Sequence, residues 1–345
     1  MAAATLSSKG QAYVQPRAGW QVMLAGKDLT DKLAPRLLSL RLTEKRGEEA
    51  DALEIVVHDH DGKLALPPEG AVLTVRIGWL RGTGITPGLV DKGAFTVDDV
   101  SWDGPPDRVT ITAHSADFKG SFRTRRTRAW TGRTLADIVG QIAADHGLAP
   151  RCHADLTGTT VTAIEQHNKS DMQFLRDLGR RYDAVATVKG GCLILAPINA
   201  TTTATGKPIG ALVIDRRRTS RTAYRRSARE QGQDGAEAQW HDRSAAARKT
   251  AGAGGKNRKR LKRVYASEAD ASAAAAAETN RLKRATASLD LTLALGDALI
   301  APGMKATTSG FKAEIDREKW LIGEAEHTMD GNGGLKTRAK MEVAG

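Results

Sequence analysis

The chain has 345 residues and a formal net charge of +12, with 40% apolar and only 4% aromatic residues. At roughly 100–200 residues per domain that points to two or three domains, with cores built from Val, Leu, Ile and Ala. Two cysteines, Cys152 and Cys192, exclude a disulfide scaffold and a thiolate-rich zinc site. No apolar run approaches the ~20 residues that span a bilayer, and the first fifteen residues lack a secretory signal pattern, so synthesis in a cytoplasm is expected.

In chain order, the first stretch alternates as strands do. Residues 19–24 lead into a turn at Gly26-Lys27-Asp28, and 37–42 alternate in part. Residues 52–58 set Leu53, Ile55 and Val57 on one face, and Asp59-His60-Asp61-Gly62 closes the strand. Further strands are expected at 71–79, 93–100 and 107–114. Short strands joined by Gly, Pro and Asp argue for an antiparallel sheet closing as a barrel.

The middle differs. Thr134 and Asp137 have capping-box spacing ahead of Leu135, Ile138, Val139 and Ile142, with Gly147 as the stop. Ser170 and Gln173 repeat the pattern for a second helix carrying Met172, Leu175 and Leu178. Gly190-Gly191 between two apolar runs predicts a two-residue hairpin. Residues 125–200 therefore read as a small α+β domain. Later, 267–284 is helix-compatible, and 288–295, 304–309, 319–328 and 335–343 read as strands, with a turn at Gly331-Asn332-Gly333-Gly334.

The charge is concentrated. Residues 207–263 hold 17 basic and 5 acidic side chains, so the rest of the chain is neutral. The dense blocks are Arg216-Arg217-Arg218, then Arg221, Arg225 and Arg226, and later Lys256, Arg258, Lys259, Arg260, Lys262 and Arg263. Between them, 231–255 has almost no large apolar residue except Trp240. Burial within such a segment cannot offset its ordering entropy, so 215–265 is expected as a long, partly disordered loop. Its cations suit a solvated loop, an acidic protein face or a polyanion. No helix-turn-helix or zinc-finger spacing supports sequence-specific DNA binding.

Other patterns point to chemistry only weakly. His58 and His60 would share a strand face suited to an ion, yet nothing nearby completes a site. Gly252-Ala253-Gly254-Gly255-Lys256 lacks the first glycine and the Ser/Thr of a phosphate loop. Cys152-His153 are adjacent, so on a strand their side chains diverge, against a catalytic dyad. No Gly-x-Ser-x-Gly elbow exists. No catalytic, metal or cofactor residue is expected.

Three segments carry a resemblance. They are Ala52 through Asp59-His60-Asp61-Gly62, Pro67-Pro68, Gly70-Ala71-Val72 and Ile77-Gly78; the Glu165-Gln166-His167-Asn168-Lys169-Ser170-Asp171-Met172-Gln173-Phe174-Leu175-Arg176 run, similar to an S-D-x-x-F-L helix; and Gly310-Phe311-Lys312, Trp320-Leu321-Ile322, His327-Thr328 and Gly334-Leu335-Lys336-Thr337. In this order they resemble the phage late control protein D family, the tail or baseplate hub of contractile phages, related to the hub half of type VI spike proteins.

The resemblance implies a mainly β protein with an α+β insert: a β-barrel hub domain at 1–122, a small α+β domain at 123–204, and a second barrel at 205–345 containing the basic excursion. It implies a homotrimer in a virion tail, adapting a sixfold tail tube to a threefold spike without an active site. The spike is then expected to be a separate protein. The twelve basic residues named above are the expected contacts to an acidic neighbour: the tail spike, another baseplate protein, the tape-measure protein or transiting DNA. The rival readings are a cell-wall-degrading tail enzyme and a basic nucleic-acid-binding regulator.

Overall fold

The computed structural model describes residues 13–47, 49–115, 120–227, 232–330 and 334–345. The expected turn residues Gly331, Asn332 and Gly333 lie outside the described residues.

Seven strands form the first half: β1 (Arg17–Leu24), β2 (Lys27–Asp28), β3 (Leu37–Lys45), β4 (Ala52–His58), β5 (Val72–Arg81), β6 (Gly88–Asp103) and β7 (Arg108–His114). Their spatial order is β3-β4-β7-β6-β5-β1-β2, antiparallel throughout. The period-2 pattern sets the faces: on β4, Leu53, Ile55 and Val57 are buried and the residues between them are half-buried. With Leu40, Leu42, Ile77 and Phe95 they form the first core.

The α+β unit follows: β8 (Arg125–Thr134), α1 (Leu135–Asp145), β9 (Ala149–Cys152), β10 (Thr160–Ser170), α2 (Asp171–Arg181), β11 (Ala184–Lys189) and β12 (Cys192–Pro197). Thr134 and Asp137 cap α1 reciprocally, and Ser170 accepts the Gln173 N–H at the start of α2. Gly190 and Gly191 have φ of +55° and +71°, the left-handed pair that a tight hairpin requires. Phe122 already belongs to this unit's core.

The remainder comprises β13 (Ala211–Asp215), β14 (Thr219–Arg226), β15 (Gly235–Asp242), β16 (Ala247–Gly254), β17 (Arg258–Tyr265), α3 (Glu268–Arg284), β18 (Ala287–Leu293), β19 (Lys305–Ser309), β20 (Trp320–Asp330) and β21 (Leu335–Val343). Strands β14-β18-β21-β20 run side by side, and β19 links β13 to β20. Trp320, Leu289, Leu291 and Ile322 make a separate core.

Two expectations are corrected. The first concerns two self-contained closed barrels. No closed barrel occurs among the described strands; the two halves form one thirteen-stranded open sheet. The reason is β20, which pairs with β21 on one side and with β3 on the other, from Glu324↔Lys45 to Asp330↔Ser39. The edge that could close the second half is used to join the first.

The second concerns 215–265. This segment folds as β14 and the sheet β16-β15-β17, which packs on α3. Counting the segment alone omitted the helix that covers it. Ala236, Ala238 and Ala251 are buried, as are Ala271, Ala274 and Ala275 on α3, and Thr279 Oγ1 accepts the Ala236 N–H at 3.0 Å. Small side chains let helix and sheet approach closely, so dispersion contacts replace large buried area. At Gly235 a Cβ would lie 2.3 Å from the Ala253 carbonyl oxygen.

A polar network lies at the joint between the halves. His327 is fully buried; its Nδ1 is 2.9 Å from Thr337 Oγ1 and its Nε2 3.2 Å from Glu44 Oε2. Lys92 Nζ lies 2.6 Å from Glu44. The Trp79 indole N–H donates to the Gly296 carbonyl at 2.7 Å, and Arg46 meets Glu342 at 2.6 Å. Burial pulls the His327 imidazole below its ordinary value and Lys92 adds to this, against the Glu44 carboxylate and the Ile300 carbonyl. Burial alone would raise Glu44, but His327 and Lys92 together hold it low.

Replacing Ala238→Leu should overfill the α3 interface and cost about 1–3 kcal/mol, read by denaturant unfolding. Acidification should also weaken the fold. Below the ordinary His value of 6.5, the unfolded chain takes up a proton that folded His327 refuses, so stability falls with pH; the Glu44 contribution is lost further down, as pH drops through its lowered value. His327→Gln should flatten the first part of that slope, measured by unfolding between pH 5 and 8.

Candidate partner-binding surface

The residues with catalytic or metal-binding potential carry structural tasks. Asp61 holds Arg36 through two hydrogen bonds of 2.7 and 2.6 Å, and that pairing keeps its carboxyl well below the usual range. Asp59 accepts the Leu64 N–H at 3.0 Å, so the Asp-His-Asp-Gly segment is a braced turn. His58 and His60 lie together, Nδ1 to Nδ1 at 3.1 Å, but among the described residues no group of three or more His, Cys, Asp or Glu could hold a metal. His153 caps the following helical turn, its Nδ1 accepting the Asp155 N–H, and its Nε2 meets Thr202 Oγ1 at 2.9 Å. Burial pushes the neighbouring Cys152 thiol up, away from nucleophilic use. In the glycine-rich turn, the Asp234 carboxylate accepts the N–H groups of Lys256 and Asn257 at 3.2 and 2.8 Å. A phosphate there would have to displace a carboxylate.

The S-D-x-x-F-L segment is also structural. Ser170 caps α2, and Phe174 and Leu175 are buried in the core. Asp171 is fully buried and accepts from Gln166 Nε2 at 2.7 Å, from Arg128, and from His146 Nε2 at 2.8 Å. Burial would raise its pKa, but these partners together hold it below the carboxylate range. One side chain thus ties β8, β10, the end of α1 and the start of α2. Periodicity could not reveal this, because a helix-initial Asp looks like an ordinary exposed acid.

A cleft of about 970 Å3 lies where the three units meet. Its carboxylates are all committed: Glu49 to Lys45, Asp183 to Arg284, Glu278 to Lys259, Glu324 to Lys340 and Glu342 to Arg46. A glycosidase needs an acid and a base free to face substrate.

The twelve basic residues divide between two sheets. Arg216, Arg217 and Arg218 form a single 3-10 turn, and Arg221, Arg225 and Arg226 lie on β14, an edge of the large sheet. Lys256 precedes β17, and Arg258, Lys259, Arg260, Lys262 and Arg263 lie on it, an edge of the three-stranded sheet. All are exposed except Lys259, which is half-buried. Some are neutralised within the chain: Arg217 by Asp215 at 2.6 Å, Lys259 by Glu278 at 2.6 Å and Arg260 by Glu237 at 2.7 Å, while Arg218 lies 3.9 Å from Asp297. Arg258 bonds the Gly255 carbonyl at 2.8 Å, and Arg263 lies over the Tyr265 ring. The structure therefore places the cations on the edge strands of two sheets and in the turns before them.

Residues 55–333 match the sequence profile of the phage tail baseplate hub family. The chain belongs to that family. A relative in Escherichia phage 186 named a probable baseplate hub protein is 33% identical, over 94% of this chain and 92% of its own length; another of that name in Escherichia phage P2 is 34% identical with the same coverage. Among solved structures, a tail protein of Neisseria meningitidis matches with a TM-score of 0.68 at 12% identity, covering 94% of this chain and 96% of that one. A 43 kDa tail protein of prophage MuSo2 from Shewanella oneidensis matches with a TM-score of 0.64 at 14% identity, covering 93% and 97%. An Escherichia coli component of the type VI secretion system matches with a TM-score of 0.58 at 10% identity, covering 94% and 77%. These likenesses show a shared fold. By its family match and its two phage relatives, the chain is a tail baseplate hub protein.

Asp171→Ala should leave Arg128 and His146 without their buried partner and cost about 3 kcal/mol. Thermal melting of the full chain checks this, and loss of protection in α2 by hydrogen exchange locates it.

Proposed function

We propose that three copies of this hub form a ring in which each chain supplies two barrel-like modules, giving six positions on one face and three on the other. One face then meets the sixfold tail tube and the other the threefold spike. The supporting observation is that one chain contains two mainly antiparallel β halves, whose cores centre on different strands, joined by the pairing of β3 with β20. A closed ring whose two faces present different repeats needs no bond-making chemistry, only matched surfaces. The cations of β14, β17 and the turn at Arg216–Arg218 serve as contacts to an acidic neighbour in the tail, whether spike, tape-measure protein or passing DNA.

The test is solution mass, with and without the spike protein of the same particle. The expected species is three times the 36.8 kDa chain, bound to one spike trimer. A chain that stays monomeric both alone and with spike and tube present overturns the ring. Neutralising Arg216, Arg217, Arg218, Lys259 and Arg260 together should reduce particle assembly; unchanged assembly and injection would remove the cations from the partner surface.

A further inference from the structure

β14 ends the large sheet. It pairs with β18 on one side and, among the described residues, with no strand on the other. Just beyond it, the Ser227 N–H donates to the Thr286 carbonyl in the same register. Hydrogen-bonded pairs alternate along an antiparallel ladder, so Arg221, Ala223 and Arg225 bond to β18. Thr222, Tyr224 and Arg226 therefore turn their N–H and C=O groups outward. The register shift lies at the start, between Thr219 and Arg221, and the six residues after it run regularly. This is an open template of the kind that proteins usually blunt with bulges or cover.

Its side chains define what fits. Tyr224 is half-buried, edge-on to Trp320 with ring centroids 6.2 Å apart, while Thr222 on the same face is exposed. The second core therefore ends uncovered at this strand. Arg221, Arg225 and Arg226 are exposed, with no carboxylate partner among the described residues.

We propose that the β14 edge is a docking site for an extended acidic segment of another protein, which adds to the sheet as a further strand. Its backbone would bond to Thr222, Tyr224 and Arg226, its acidic residues would face Arg221 and Arg225, and an apolar residue would extend the core beside Tyr224. A second copy of this chain is a poor occupant. A second β14 would oppose arginine to arginine, and among the described residues none of the other edge strands carries more than one carboxylate. Asp215 on β13 is held by Arg217, Glu165 on β10 is accompanied by Lys169, and Asp28 on β2 follows Lys27. Duplex DNA would use the arginines but leave the outward backbone groups and the open core edge without a role. The inference rests on the reading of these arginines as partner contacts and names the form the partner takes.

The test uses the full chain and a fluorescein-labelled decapeptide of alternating Glu and Val, followed by polarisation. Binding is expected, and it should be lost when alternate peptide nitrogens are methylated. Thr222→Pro removes one outward N–H without touching the β14–β18 ladder, so it should fold normally and weaken binding at least about tenfold. Arg221→Glu with Arg225→Glu should weaken binding similarly and create binding to an alternating Lys-Val peptide. Melting curves confirm that the variants fold. No binding by the unaltered chain, equal binding of the methylated peptide, equal binding by Thr222→Pro, or preferential displacement by a short DNA duplex would each overturn the proposal. So would a change in oligomeric mass caused by either variant, which would assign the edge to a second copy. Spike binding by the unaltered chain reads the hub function separately, so failure of the peptide assay leaves that function standing.

Discussion

The pairing of β3 with β20 is the constraint on which the rest of the molecule depends. Seven residue pairs cross it, joining strands that are far apart in sequence. It fixes how the two β halves meet, and the first core reaches across it to Ala298, Met329 and Leu335 of the second half. The network of Glu44, Lys92 and His327 sits at this joint, with the Trp79 indole bonded across it to Gly296. Buried charges of this kind contribute little net stability, but they penalise a slipped register, because a one-residue shift would leave each of them without its partner. The joint thus specifies geometry more than it adds strength, and geometry is what an adaptor must deliver.

Local features were legible in the sequence. Alternation marked β4 and β21 at the bounds they adopt, and Thr134 and Ser170 each cap the helix that follows, as their spacing predicts. Gly190-Gly191 announced its hairpin because only residues tolerant of positive φ make that turn. What escaped was non-local. Nothing in the residues of β3 says that it will meet β20, since both read as ordinary half-buried strands. The insert escaped for another reason. Apart from Tyr265 on β17, its buried core consists of alanines on β15, β16 and α3, and an alanine has no hydrophobic signature until a close neighbour is known. Asp171 escaped because sequence pattern gives no sign of a buried acid whose partners lie on three other elements.

The charge distribution has a matching logic. Eight of the twelve named cations fall on β14 and β17, each the outermost strand of its sheet, and the others lie in the turns before them. Positive edges discourage pairing with another copy while remaining open to an acidic chain. Many carboxylates of this same chain are spent elsewhere: on Arg36, in the cleft between the units, and on Arg128, Arg181 and Lys92 in the interior. At the rims, Asp215, Glu278 and Glu237 meet Arg217, Lys259 and Arg260, while Arg221, Arg225 and Arg226 have no carboxylate partner among the described residues.

The Arg46–Glu342 bridge spans 296 positions of the chain, and the β3–β20 ladder beside it spans nearly as many. Such distant closure is slow, because a long loop must be ordered before any contact rewards it. On the ribosome, the first seven strands emerge with one flank of β3 bare, and they wait for β20 to be synthesised. Arg41 and Lys45 lie on that waiting strand, charges of the kind that blunt an open edge. A hub is therefore complete only once β20 has been made and has met β3.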